Sequence, residues 1–219
     1  MVALGLTYVE HDGTLAQHLL AIVSLAPVLL IAAYFTALFL RRDVHTACVL
    51  AGQALCQALN SVLKRAIAQP RPAGATGLGK HGEDFGMPSA HAQFAGFFAG
   101  YYLLLALQRR GAAAERGVFA AALLACGVLV PYSRVELGYH TAEQAVAGTL
   151  VGAGFAAVWR LATVRLFAPR LFPAVQELRV AKALCVYDDS DIPDFFAWQF
   201  QRVLQHQEAT RYTSASKTR

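Results

Sequence analysis

Ser133-Arg134-Val135-Glu136-Leu137-Gly138-Tyr139-His140 is a cationic, hydrogen-bonding octet set between two long apolar segments. An ionisable side chain at or near membrane depth is costly, so Arg134 and His140 mark a functional site with a partner. Working outward from the octet, the partner lies earlier in the chain. Lys64, Arg71 with Pro72, Ser89 and His91 form a second polar cluster, also between apolar segments. The two clusters are therefore expected to meet at one end of a helix bundle.

The 219 residues are 56% hydrophobic and 15% charged, with mean hydropathy +0.41. That is too apolar for an ordinary soluble domain of this size and reads as one integral membrane domain. The expected fold class is all-α, a polytopic transmembrane helix bundle of about five spans. A net charge of +5 and a pI near 9.2 raise the possibility of nucleic acid. The Lys and Arg residues instead sit beside apolar spans, which excludes a basic binding face and points to the lipid bilayer as partner. Cys48, Cys56, Cys126 and Cys185 are scattered without Cys-x-x-Cys spacing and read as small packing residues. The first residues lack the basic region and cleavage site of a signal peptide, so the first span is expected to direct membrane insertion itself.

The spans are expected at about 18–40, 44–68, 91–108, 118–132 and 140–163. They form a transmembrane unit over 1–170, followed by a cytoplasmic tail, 171–219. His18 to Leu40 carries no Asp, Glu, Lys or Arg, which suffices to cross about 30 Å of hydrocarbon, and Pro27 is expected to kink it. In the second span Gln53, Gln57, Asn60 and Lys64 recur at steps of four, three and four, which places them on one helical face. Gln53 and Gln57 are expected to make interhelical hydrogen bonds there. A Pro- and Gly-rich loop covers 69–90, with Lys80 balanced by Glu83 and Asp84. Gly148 and Gly152 form a Gly-x-x-x-Gly pair suited to close helix approach. In the tail, Asp191-Ile-Pro-Asp before Phe196, Phe200, Val203 and Leu204 suggests a short amphipathic helix, lying on the membrane or packed under the bundle.

With five spans, Arg41, Arg42, Arg109, Arg110, Arg116, Arg160, Arg165, Arg170 and Arg179 gather on one side. Lys64, Arg65, Arg71, Lys80 and Arg134 gather on the other. The first side is expected to be cytoplasmic. Both polar clusters then share the opposite face; an odd number of spans between them would have separated them.

The fixed residues read Lys64-x6-Arg71-Pro72, Pro88-Ser89-x-His91 and Ser133-Arg134-x5-His140. In this order they resemble the motifs of the type 2 phosphatidic acid phosphatase superfamily, which is related to vanadium haloperoxidases. Within it the chain looks most like the dolichyl-diphosphate phosphatases of the endoplasmic reticulum. That closer resemblance rests on Thr7-x-Val9-Glu10, His18-Leu-Leu-Ala, Gly86-Met-Pro-Ser, Tyr132-Ser-Arg-Val, Tyr139-His-Thr and Ile192-Pro193. It implies a multi-pass endoplasmic reticulum enzyme with a lumenal site. The enzyme would hydrolyse a polyprenyl lipid, dolichyl diphosphate, to dolichyl phosphate and inorganic phosphate and so recycle the carrier for protein N-glycosylation.

The chemistry requires these residue types. A phosphoryl group in transfer spreads charge over three equatorial oxygens, so catalysis is mostly cationic clamping and in-line positioning. Lys64, Arg71 and Arg134 supply cations. Ser89 and the backbone N–H groups near Ala90, at a helix start, supply neutral donors. By resemblance His140 attacks phosphorus to form a phosphohistidine, and His91 protonates the departing oxygen and then activates water. A neutral imidazole needs an acceptor on its other nitrogen. Most of the superfamily has Asp four residues after this His; here the position is Gln144, which accepts a hydrogen bond but cannot stabilise an imidazolium as a carboxylate would. Glu136, Glu143 and Glu10 are alternative sources of charge. Ala90 stands where the wider family has Gly. No metal-type carboxylate cluster accompanies the motifs, so hydrolysis without metal or cofactor is expected.

The rival readings are a phosphatase for phosphatidate, sphingoid phosphate or undecaprenyl diphosphate, and a non-enzymatic lipid-binding membrane protein. A channel is disfavoured because the polar residues gather at one face rather than line a path across the bilayer.

Overall fold

A computed structural model describes residues 14–73, 75, 85–108, 113–190, 192 and 194–217, the side chains at 195, 196 and 211–217 excepted. Expectations for Thr7, Val9, Glu10, Lys80, Glu83, Asp84, Arg109, Arg110, Asp191 and Pro193 lie outside the described residues. Among the described residues the fold is helical, and five helical stretches are long and apolar enough to cross a membrane.

The first stretch is two helices, α1 (Leu15–Ser24) and α2 (Ala26–Arg41). Pro27 has no N–H to continue the first helix and occupies the first turn of the second, where that loss costs nothing. The break falls at Leu25, whose N–H turns back to the Ile22 carbonyl at 3.0 Å. A two-residue turn leads to α3 (Val44–Ile67), with Arg42 left-handed at φ 58° and Asp43 accepting from the Thr46 N–H at 2.7 Å as N-cap. Then come α4 (Ala90–Gln108), α5 (Ala113–Glu136) and α6 (Ala142–Ala162). Beyond α6 the chain continues as a π-helical segment, Thr163–Leu171, then α7 (Phe172–Glu177), α8 (Arg179–Ala183) and α9 (Phe195–Lys217).

The helix around which the others assemble is α4. Half of its span is buried inside the protein, against 22–28% for the other four. Its Phe94, Phe97 and Tyr101 join Tyr34, Val49, Cys56 and Ala156 in the core. Small residues allow the close packing of α6 on α4. A Cβ on Gly152 would lie 2.1 Å from the Gln93 carbonyl oxygen, and one on Gly148 would lie 2.5 Å from that of Ser89. Without a hydrophobic driving force between helices in lipid, such backbone approach is a main source of helix affinity.

The polar face of α3 divides in a way its periodicity does not show. Asn60 Nδ2 donates to Gln93 Oε1 at 2.7 Å and to the Pro88 carbonyl at 3.2 Å, and Gln93 Nε2 donates to the Cys56 carbonyl at 2.6 Å, tying α3 to α4. Gln53 is buried with no partner for its amide among the described residues. Gln57 is exposed. The interhelical bonds expected of Gln53 and Gln57 thus go to their neighbour Asn60, because only Asn60 faces the polar Gln93 on α4.

The tail also departs from expectation. Its helix runs 23 residues, Phe195–Lys217, because no Gly or Pro interrupts it. Packing under the bundle is done by the segment before it. Tyr187 pairs with the α2–α3 turn through Val44 N–H to Tyr187 O at 2.9 Å and Tyr187 N–H to Arg42 O at 3.2 Å. The buried Asp189 carboxylate accepts from Arg41.

Candidate active site

Antiparallel succession brings the C-terminal ends of α3 and α5 and the N-terminal ends of α4 and α6 to one end of the bundle. Lys64, Arg71, His91, Arg134 and His140, from both sequence clusters, line one cavity of about 260 Å³ there, with Gln57, Asn60, Ser61, Ala90 and Tyr139. No carboxylate is among these lining residues. Ser89 and Gln144 stand behind the wall.

The octet folds as it does because of Gly138. Helix α5 ends with the Tyr139 N–H on the Arg134 carbonyl at 3.0 Å and the Gly138 N–H on the Val135 carbonyl at 2.9 Å. This reciprocal pair needs a left-handed residue, which Gly138 supplies at φ 74°. The His140 N–H also reaches the Arg134 carbonyl, at 3.1 Å. One backbone oxygen thereby sets His140 beside Arg134, six residues away in sequence. The Arg134 guanidinium, buried at 4% exposure, lies 4.0 Å over the Tyr139 ring. That contact holds its plane by cation–π attraction. Arg71 Nη1 donates to the Tyr139 carbonyl at 3.4 Å, and Lys64 Nζ to the Phe85 carbonyl at 2.5 Å.

His140 sits in the turn between α5 and α6. Burial, reinforced by Arg71 and then by Arg134 and Lys64, lowers its pKa to about 3 against the opposing pull of its bond to Gln144. The ring is therefore neutral at physiological pH. Its Nδ1 lies 3.0 Å from Gln144 Oε1. The Gln144 amide is itself oriented: Nε2 donates to the Pro70 carbonyl at 2.9 Å and to Gln69 Oε1 at 3.1 Å. With Nε2 engaged by two acceptors, Oε1 faces the imidazole, so Nδ1 carries the proton and Nε2 of His140 keeps its lone pair. Of the other carboxylates considered, Glu136 and Glu143 are exposed, and Glu10 is outside the described residues.

Thr141 and Gln144 also form a reciprocal capping box that starts α6, so Gln144 begins the helix and holds the histidine at once. A Cβ on Gly86 would come within 2.5 Å of the Gln144 amide and push it from its hydrogen-bonded position. Ser89 is fully buried, its N–H on the Gln144 carbonyl at 3.0 Å and its Oγ without a partner among the described residues. This hydroxyl lies at the start of α4, next in sequence to the lining residues Ala90 and His91. Among the described residues no group of three His, Cys, Asp or Glu side chains could hold a metal ion.

Sequence reasoning gave no role to Gln69 or to the Tyr139 ring and carbonyl, and did not pair Asn60 with Gln93. Tyr139 and Gln69 flank motif residues directly, at His140 and at Pro70-Arg71. Gln93 is a lone amide one turn into a purely apolar run, and that was its signal.

Residues 45–167 match the PAP2 superfamily. The chain is 37% identical over 207 residues, 89% of its length and 85% of the relative's, to Dolichyldiphosphatase 1 of Homo sapiens. It is 31% identical to Dolichyldiphosphatase 1 of Dictyostelium discoideum, covering 98% and 97%. It is 32% identical to Lipid phosphate phosphatase gamma of Arabidopsis thaliana, covering 90% and 89%. No solved structure matches. With a family match over more than half of its length and relatives above 30% identity across nearly all of it, this chain belongs to the PAP2 superfamily.

Proposed function

We propose that the protein is a lipid diphosphate phosphatase that converts dolichyl diphosphate to dolichyl phosphate and inorganic phosphate on the lumenal face of the endoplasmic reticulum membrane. The observation that carries this is the convergence of two imidazoles and three cations on one cavity at a single end of the bundle. Binding an anionic head group would need the cations alone; a neutral histidine with an oriented tautomer is what nucleophilic attack needs. The names of the human and Dictyostelium relatives support the substrate.

In the first step the His140 Nε2 lone pair attacks the terminal phosphorus. The bond from phosphorus to the bridging oxygen breaks, and His91 donates a proton to that oxygen as dolichyl phosphate leaves. Lys64, Arg71, Arg134, the Ser89 hydroxyl and the first N–H groups of α4 hold the equatorial oxygens. In the second step His91 takes a proton from water, whose oxygen attacks the phosphohistidine. The nitrogen–phosphorus bond breaks, inorganic phosphate leaves and His140 is restored. No metal enters either step, and the tail beyond about residue 170 is cytoplasmic.

The test is phosphate release by the purified protein in detergent with EDTA present. Turnover of dolichyl diphosphate is expected, with phosphatidate slower; His140→Ala is expected to abolish it while leaving expression and lipid binding largely intact. Faster turnover of phosphatidate would select the second reading, a broader lipid phosphate phosphatase, which the Arabidopsis relative's name favours. Unchanged turnover in the His140 variant would end the mechanism.

A further inference from the structure

The cavity extends past the residues that the mechanism uses. Gln57 and Ser61 line it together with Lys64, and all three lie on one face of α3 at steps of four and three. A rise of about 1.5 Å per residue puts Ser61 about 4.5 Å and Gln57 about 10.5 Å below Lys64 along the helix, toward the bilayer interior. Both residues are exposed on a membrane span where they line the cavity. Ser61 Oγ makes only a long local bond, 3.3 Å to the Gln57 carbonyl. The Gln57 side chain makes no hydrogen bond among the described residues.

A Gln facing hydrocarbon without a partner is expensive. The cost is removed if a polar group of a ligand lies against it. The cavity of about 260 Å³ holds several water volumes of about 30 Å³ each, and so more than one phosphoryl group. A lipid diphosphate bound with its terminal phosphorus between His140 and His91 must send its chain down into the bilayer. Its second phosphoryl group then passes along the face of α3 below Lys64.

We propose that Gln57 and Ser61 hold the second, chain-linked phosphoryl group of a lipid diphosphate and thereby make this site prefer diphosphates to monophosphates. The Gln57 Nε2 and the Ser61 hydroxyl donate to its oxygens, and Ser61 gives up its local bond to do so. This inference rests on the lipid phosphatase reading above and goes further in assigning the substrate preference to two residues of α3 outside the three motifs.

The experiment uses the full chain in detergent, with a polyprenyl diphosphate as substrate and orthophosphate and pyrophosphate as competing inhibitors. Orthophosphate reports on the terminal site alone; pyrophosphate reports on both. Gln57→Leu and Ser61→Ala are expected to lower kcat/KM and weaken pyrophosphate inhibition by about tenfold, the loss of one hydrogen bond to a charged group, while orthophosphate inhibition stays within about twofold. Leu at an exposed position of a span suits the bilayer, so folding is not at risk. Gln57→Glu, which sets a carboxylate against the phosphoryl oxygens, is expected to lose more than Gln57→Leu. Equal weakening toward both inhibitors, or no change toward either, would overturn the assignment. A wild-type protein without activity on the diphosphate would instead overturn the function itself.

Discussion

His140 keeps the lone pair of its Nε2 through an uncharged neighbour, and this is where the site differs from one built on a carboxylate. A Gln144 amide pinned by Pro70 and Gln69 fixes the tautomer but adds no negative charge. The ring pKa therefore stays near 3 under burial and the surrounding cations. A carboxylate in its place would favour the imidazolium and move the value up. In wild-type protein the nitrogen chemical shifts of the His140 ring are expected to report a neutral imidazole down to about pH 4, and Gln144→Glu to raise the midpoint. A wild-type midpoint at or above 6.5 would contradict the oriented-amide account. Gln144→Leu, close in volume but without an acceptor, is expected to lower kcat by about a hundredfold with a smaller change in KM, since the cations that line the cavity are untouched.

At the scale of elements, the site depends on two glycines that have no chemistry. Gly138 closes the α5 terminus so that Arg134 and His140 adjoin, and Gly152 lets α6, which follows His140, lie against α4, which carries His91. Gly152→Ala would place a methyl 2.1 Å from a backbone oxygen that cannot rotate away. It is expected to destabilise the bundle by about 1–3 kcal/mol, measured as a lower Tm in detergent. A Tm unchanged within a degree or two would show the helices less closely set than described. The Gly-x-x-x-Gly spacing made this contact legible in the sequence, as the apolar runs did the five spans and the motif residues the cavity wall. Less legible was everything set by three-dimensional proximity across long sequence gaps. Gln69 and Gln144 are 75 residues apart, and no local pattern announces that one amide orients the other. The face of α3 was legible as a stripe but not in its division, since periodicity cannot say which of Gln53, Gln57 and Asn60 meets Gln93.

For the molecule as a whole, the site and the tail anchor stand at opposite ends of the bundle. Arg41, Asp43 and Asp189 join at the end where α2 finishes and α3 begins; Lys64, Arg71 and Arg134 line the cavity where α3 and α5 finish. Positive residues outside the cavity concentrate at the anchor end, including Arg41, Arg42, Arg160, Arg165, Arg170 and Arg179, which favours that end in the cytoplasm. The cations at the other end are largely committed to the cavity and so weigh less as topological signals. Cysteine chemistry can read this orientation, because Cys185 is exposed beside the anchor, whereas Cys48 and Cys126 are partly and Cys56 fully buried within spans. In sealed microsomes with the cytoplasmic face outward, a membrane-impermeant maleimide is expected to label Cys185 without permeabilisation. A thiol introduced by Glu143→Cys, exposed at the first turn of α6 on the site end, is expected to react only after the membrane is opened. The reverse pattern would put the cavity in the cytoplasm and require a substrate presented from that side.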